Sequence, residues 1–172
     1  KLTLDPALQR FAEKTLKTAE IPEAAIVVMD TRTGRILAYA SQTATVPARD
    51  LAVEANAPAA SIFKIVTGSA LVEQAGLSAD TRQCYWGGEH KLEMQHLVDD
   101  KKRDKWCATV AEAMGRSLNT VFARLSLKHL DAQKLGATAQ GLGFGEAIPF
   151  DVPVSPNTIR FPEDKLGFAR TS

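Results

Sequence analysis

Apolar positions recur along the chain with different periods, and each period predicts an element. Asp5-Pro6 makes an N-cap and first-turn pair, after which Leu4, Leu8, Phe11, Leu16 and Ala19 fall at helical spacing up to Glu20-Ile21-Pro22. An amphipathic first helix follows from that. Residues 25–30 and 35–40 are β-prone runs separated by Thr31-Arg32-Thr33-Gly34, which has the length and composition of a hairpin loop. Residues 42–57 have no period and read as a connection running up to Pro58. A helix then begins near 59–61 and runs to about 74–75, where Gly76 is a natural stop. Its apolar residues go nearly all the way round, as expected of a helix inside the domain. Residues 82–106 form an irregular excursion holding both tryptophans, a Gly-Gly pair and a mixed-sign charge cluster at 99–105 that reads as a solvated loop tip. Thr109-x-x-Glu112 is a capping box for a helix that stops at Gly115. The next helix carries Leu118, Val121, Phe122 and Leu125 on one face and ends before Asp131, which is placed to cap another. From 147 the tail is proline-studded and reads as loop or strand edge.

Composition narrows the partners. With 172 residues, 45% hydrophobic and 24% charged, the chain has the make-up of one soluble globular domain. Twenty-one Lys and Arg against 20 Asp and Glu leave a net charge of +1, so there is no electrostatic footprint for nucleic acid or an anionic membrane. The longest apolar run, 24–29, is too short to span a bilayer, and no leader pattern opens the chain, so any anchor or export signal is expected to lie outside these residues.

Lys64 is the residue the pattern does not explain. It sits among apolar and small neighbours, and burying an unpaired ammonium costs several kcal/mol or forces its pKa down. Ser61 precedes it by three positions and, if both are helical, shares its face. A desolvated amine that is neutral near pH 7 can take the hydroxyl proton of such a serine during nucleophilic attack. A helix start beside the serine also offers free N–H groups and a positive dipole end to a developing oxyanion. The alternative is a lysine snorkelling from the helix end.

Ser61-Ile62-Phe63-Lys64 resembles the Ser-x-x-Lys motif of penicillin-binding protein transpeptidases and serine β-lactamases. "AIVVMDTRTGRILAYAS" (25–41) is similar to the hairpin before the nucleophile in that family, and "LDPALQRFAEKTL" (4–16) to its opening helix. "SLNTVFARLS" (117–126) looks like the middle motif with its helix, and "GLGFG" (141–145) like a glycine turn of the same domain. Of two Ser-x-Asn triplets, Ser117-Leu118-Asn119 opens a helix, whereas Ser155-Pro156-Asn157 has proline at its centre and reads as a surface turn. By resemblance Ser117 relays protons between Lys64 and the leaving group, and Asn119 hydrogen-bonds the substrate amide. Ser117 is also placed to serve as an N-cap. The chain departs from the family in having Ala59-Ala60 rather than Pro-Gly before the serine, Ile65 rather than Pro after the lysine, and no Lys-Thr-Gly triplet.

The resemblance implies an α/β fold of the α+β type, an antiparallel sheet with packed helices, as an incomplete β-lactamase/transpeptidase-like fold. On this reading, residues 1–172 are the N-terminal part of one transpeptidase domain, ending before the Lys-Thr-Gly strand. The implied activity is serine D,D-transpeptidation of peptidoglycan stem peptides through an acyl-enzyme on Ser61, with β-lactams as covalent inhibitors. No cofactor or metal is implied. The implied location is the periplasmic or extracytoplasmic face of the bacterial inner membrane, in a membrane-anchored parent with cell-wall complex proteins as possible partners. These residues alone are expected to acylate poorly. The rivals are a β-lactamase or D,D-carboxypeptidase, and a non-catalytic binding module such as a β-lactam sensor or an inactive scaffold in a cell-wall complex.

For such an extracytoplasmic family, Cys84 and Cys107 are disulfide candidates; free thiols, or a zinc site with His90 and His96, are the alternatives. Gly141, Gly143 and Gly145 read as a turn rather than a phosphate cradle, and His129 as a surface residue at a helix end.

Overall fold

Asp5 starts the first element as the sequence predicts. Its carboxylate accepts from the N–H groups of Ala7 and Leu8, Pro6 takes the first helical position, and α1 runs Pro6–Thr18. The strands β1 (Glu23–Met29) and β2 (Ile36–Thr43) pair antiparallel, Val27 opposite Tyr39. Between them the Asp30 carboxylate accepts from the backbone N–H of Arg32 and Thr33, and Gly34 takes φ +69, which closes the hairpin. α1 lies on this ribbon through small residues, Ala12 against Ala38 and Ala40, with Leu16 beside them. Gln9 ties helix to strand by exchanging two 2.8 Å bonds with the backbone of Tyr39. The predicted apolar face of α1 is therefore corrected. The close approach over alanines buries Ala12 and Leu16, while Phe11 stays 70% exposed and Leu8 lies at the surface.

This computed structural model describes residues 2–55, 57–89 and 91–171. The chain divides into two units. One is Lys1–Asn56 with Ala147–Pro156, which holds α1 and the hairpin; the other is Ala57–Glu146 with Asn157–Ser172.

In the second unit, the predicted helix from 59–61 onward is split. A 3₁₀ turn spans Ala60–Phe63 and α2 begins only at Lys64, running Lys64–Glu73. Nor is α2 wrapped all round. Val66, Ala70 and Leu71 enter the core, whereas Ile65 and Val72 face outward, as does Ile62 of the preceding turn. The core also takes Phe63, Val121, Phe122, Leu125, Leu135 and Ala139. Most of the latter come from α4 (Asn119–His129) and α5 (Ala132–Gly141), the second of which is capped by Asp131 as predicted. The Thr109/Glu112 capping box is present and starts α3 (Val110–Gly115).

The excursion at 82–106 is more ordered than its composition predicts. Its base is a second antiparallel pair, β3 (Arg82–Tyr85) with β4 (Trp106–Thr109), in which Cys84 and Cys107 stand opposite each other and are joined as a disulfide. Its charge cluster is only partly solvated. Arg124 on α4 is completely buried and donates to Asp104 at 2.7 Å, to Asp99 at 3.4 Å and to the carbonyls of Cys84 and His96. The periodicity of 99–105 gave no sign of this, because the partner of its acids lies on a distant helix. The tail, expected as loop throughout, ends in α6 (Lys165–Thr171), whose start signal is Asp164 accepting from the Gly167 N–H. Among the described residues no helix is long and apolar enough to cross a membrane.

Candidate active site

Two backbone segments meet at Lys64. The first is the 3₁₀ turn, anchored by Phe63, whose ring lies edge-on to Phe144 at 5.7 Å and packs against Phe161. That anchor fixes the turn so that Ser61 stands at the surface while Lys64, one turn on, points inward and is only 4% exposed. Ala60, just before the serine, is held at φ +48, a left-handed conformation that costs an L-residue about 1–2 kcal/mol. The second segment is the link from α3 to α4, where Ser117 takes φ +54. This twist turns both oxygens of Ser117 onto one nitrogen: its carbonyl lies 3.1 Å and its hydroxyl 2.9 Å from Lys64 Nζ. Ser117 does not cap α4, whose N-cap is Leu118 without a side-chain bond.

Lys64 Nζ thus sits within hydrogen-bonding distance of four oxygens, the other two being Ser61 Oγ at 3.2 Å and Asn119 Oδ1 at 2.5 Å. None belongs to a carboxylate. With no acid to favour the cation, burial sets the balance and holds the Lys64 pKa below its ordinary value of 10.5. The Phe122 ring, 6.0 Å away, is at the limit of useful cation–π range and opposes this only weakly. A neutral amine has two N–H donors and one lone pair. It can donate to Asn119 Oδ1 and to an oxygen of Ser117 while its lone pair accepts from the Ser61 hydroxyl. Ile62 N–H is bonded to Ala59 O, whereas Ser61 N–H donates to no described residue.

Ser61, Lys64, Ser117 and Asn119, singled out in the sequence, are therefore brought together. The wall that holds them was not legible. Asn119 Nδ2 donates to Glu89 O and Thr120 Oγ1 to Gly87 O, which straps the excursion over the start of α4. The Gly-Gly pair is the signal for that close approach. A Cβ on Gly88, which has φ +75, would stand 2.2 Å from Thr120 Oγ1. The excursion supplies Lys91 and Leu92, and α6 supplies Arg170, to a cleft of about 360 Å³ beside Ser61.

Other candidates stand apart from this cluster. The Cys84–Cys107 bond removes both sulfurs from the alternative zinc set; His96 Nδ1 accepts from Glu93 N–H, and His90 lies outside the described residues. Asn157 Oδ1 accepts from Gly145 N–H, so the second Ser-x-Asn triplet serves a turn, and Gly143 and Gly145 adopt positive φ there.

A sequence model of the family described as penicillin binding protein transpeptidase domain matches residues 24–165. Stage V sporulation protein D of Bacillus subtilis (strain 168) is 28% identical over 182 aligned positions, which take in 97% of this chain and 28% of that one. The structure is similar to the D,D-transpeptidase domain of a peptidoglycan glycosyltransferase from Eggerthella lenta, at 29% identity and TM-score 0.73 over 90% of this chain and 40% of that one. It also matches penicillin-binding protein A from M. tuberculosis, solved as a ceftriaxone acyl-enzyme complex, at 20% identity and TM-score 0.75 over 98% and 45% of the two chains. At that identity the likeness is one of fold. The chain spans less than half the length of each of these three relatives.

Proposed function

The chain belongs to the penicillin-binding protein transpeptidase domain family, and we propose that Ser61 is the nucleophile of a serine D,D-transpeptidase that cross-links peptidoglycan stem peptides. One observation carries this reading: a buried lysine nitrogen, with no acid partner among the described residues, lies 3.2 Å from the hydroxyl of an exposed serine. Ser61 Oγ attacks the peptide carbonyl of the donor stem and gives its proton to Lys64 Nζ. The carbonyl oxygen becomes an oxyanion, toward which the Ser61 N–H is one donor. Ser117 Oγ, 2.9 Å from the same nitrogen, passes the proton on to the departing amine, leaving an ester on Ser61. The amine of a second stem then attacks that ester, the proton path runs in reverse, and Ser61 is regenerated. A β-lactam enters at the first step, its ring amide taking the place of the peptide bond.

Asn119 is assigned the substrate amide, and its side chain also donates to Glu89 O and lies against Lys64. The Cys84–Cys107 disulfide supports placing the domain in an oxidising compartment outside the cytoplasm. We further propose that residues 1–172 are the nucleophile-bearing part of one such domain and acylate slowly by themselves, since the sequence contains no Lys-Thr-Gly triplet to complete the substrate and oxyanion contacts.

The test is labelling with a fluorescent penicillin followed by peptide mapping, on residues 1–172 and on the full-length protein. Full-length protein is expected to carry one adduct on Ser61 that Ser61→Ala abolishes, and residues 1–172 to label far below one equivalent. An adduct on another residue overturns the nucleophile, and stoichiometric labelling of the 172 residues overturns their proposed incompleteness. The lifetime of the adduct separates transpeptidation from β-lactamase chemistry: persistence for hours is expected.

A further inference from the structure

The cleft beside Ser61 has a second chemical feature besides the proposed nucleophile. Lys91 and Arg170 line it, together with Leu92 and Asn119, and among the described residues no carboxylate side chain does. The two cations come from segments far apart in sequence. Lys91 lies on the excursion between β3 and β4, and Arg170 on the last turn of α6. They are held next to each other because an Arg170 guanidinium nitrogen donates to the carbonyl of Leu92, the residue after Lys91, at 2.8 Å. That bond uses one face of a group with five donors, and Arg170 meets no carboxylate among the described residues. Among the described residues Lys91 pairs with Glu93 at 3.6 Å, with its own side chain 78% exposed, a loose pair that an incoming anion can replace. The whole chain is nearly neutral at +1, so this is a local concentration of positive charge, not part of a basic surface.

Building on the transpeptidase reading above, we propose that Lys91 and Arg170 are specificity-determining residues that select acyl donors bearing a free carboxylate away from the bond that is cut. The arrangement suits that task. A guanidinium fixed on the backbone loses little freedom when it closes on a carboxylate, and its fork takes two oxygens at once. Lys91 adds a mobile point charge that draws the donor in from solution. Leu92 supplies an apolar surface between them, along which the stem of the donor side chain can lie. Nothing in this role requires a charge on Lys64.

The experiment compares two thioester donors identical except that one carries a side-chain carboxylate and the other the corresponding carboxamide. Acylation efficiency is measured on the full-length protein and on Lys91→Gln, Arg170→Gln, the double variant and Arg170→Lys. The wild type is expected to prefer the carboxylate donor, and the double variant to lower the ratio of the two efficiencies roughly tenfold. Arg170→Lys, which keeps the charge but loses the fork, should retain only a minor part of the preference, and raising the salt from 50 mM to 500 mM should erode it in the wild type. A change that altered only the fold would lower both donors together and leave the ratio where it was. A wild-type ratio near one, or a ratio unmoved in the double variant, overturns the proposal. If neither donor acylates Ser61, the transpeptidase reading falls while this inference is still decided. In that case, NMR titration of the Ser61→Ala protein with the two donors must show tighter binding of the carboxylate, weakened by the same substitutions.

Discussion

In the proposed mechanism Lys64 must be uncharged to take a proton from Ser61, so its environment sets a pH dependence with a definite sign. Burial lowers its pKa from 10.5. Acylation of Ser61 is therefore expected to rise with pH along a single ionisation whose midpoint lies below that value. A rate by penicillin labelling that shows no rise anywhere between about pH 4 and 10.5 would exclude Lys64 as the base. The same shift links to stability. A lysine whose folded pKa is depressed binds fewer protons in the native state than in the unfolded chain over the window between the two values, so unfolding free energy rises with pH there. Lys64→Ala removes the proposed base and is expected to slow acylation by about 10²- to 10⁴-fold. Next to it, Ala60 carries the backbone cost of φ +48. Glycine relieves about 1–2 kcal/mol of that strain but adds roughly 0.4–1 kcal/mol of unfolded-chain entropy. Strain relief is the larger of the two, and Ala60→Gly should raise the urea midpoint with the slope unchanged, a net gain of about 0.5–1 kcal/mol.

At the scale of elements, what was legible depends on the distance over which the signal acts. Caps are local, and Asp5, Thr109 and Asp131 each start the helix that the sequence assigns to them. The division between the 3₁₀ turn and α2 left no such mark, because Phe63 and Lys64 both keep right-handed helical backbone and no cap or breaker separates them. The β3–β4 pair escaped for another reason. Its strands are four residues each, and what holds the loop they close is Arg124 on α4. Arg124 is thus the keystone of the site's outer wall. It bonds Cys84 O and His96 O on the excursion and neutralises Asp104, whose side chain is only 8% exposed. Arg124→Met would leave that carboxylate buried without its partner and is expected to cost about 3–5 kcal/mol. A loss below ~1 kcal/mol by chemical denaturation would show that Asp104 reaches water. Gly88→Ala should act on the same wall from the other side, since its Cβ would meet Thr120 Oγ1 at 2.2 Å and break the strap to Gly87.

For the molecule as a whole, the site depends on contacts between residues more than fifty positions apart, Lys64 with Ser117 and Asn119. Their spacing alone is not diagnostic in a sequence. The motif types were legible through family resemblance, and the convergence of their oxygens on one nitrogen became visible only in the fold. The covalent constraint on this second unit is the Cys84–Cys107 bond, which ties residues 23 apart and closes the excursion at its base. Cross-linking a loop of that length removes conformations chiefly from the unfolded chain, which in the chain-entropy model is a stabilisation of about 3 kcal/mol. For a protein of this size 1 kcal/mol corresponds to roughly 2–4 °C, so reduction should lower the Tm by about 6–12 °C. Cys107 is exposed, so a reductant can reach the bond in the native protein. The measurement is calorimetry of oxidised and reduced protein, with a Cys84→Ala/Cys107→Ala double variant as the control. The variant and the reduced protein should melt together, because both lack the same constraint. A reduced protein that melts with the oxidised one would mean that residual structure already restricts this loop in the unfolded chain and leaves the disulfide little to remove.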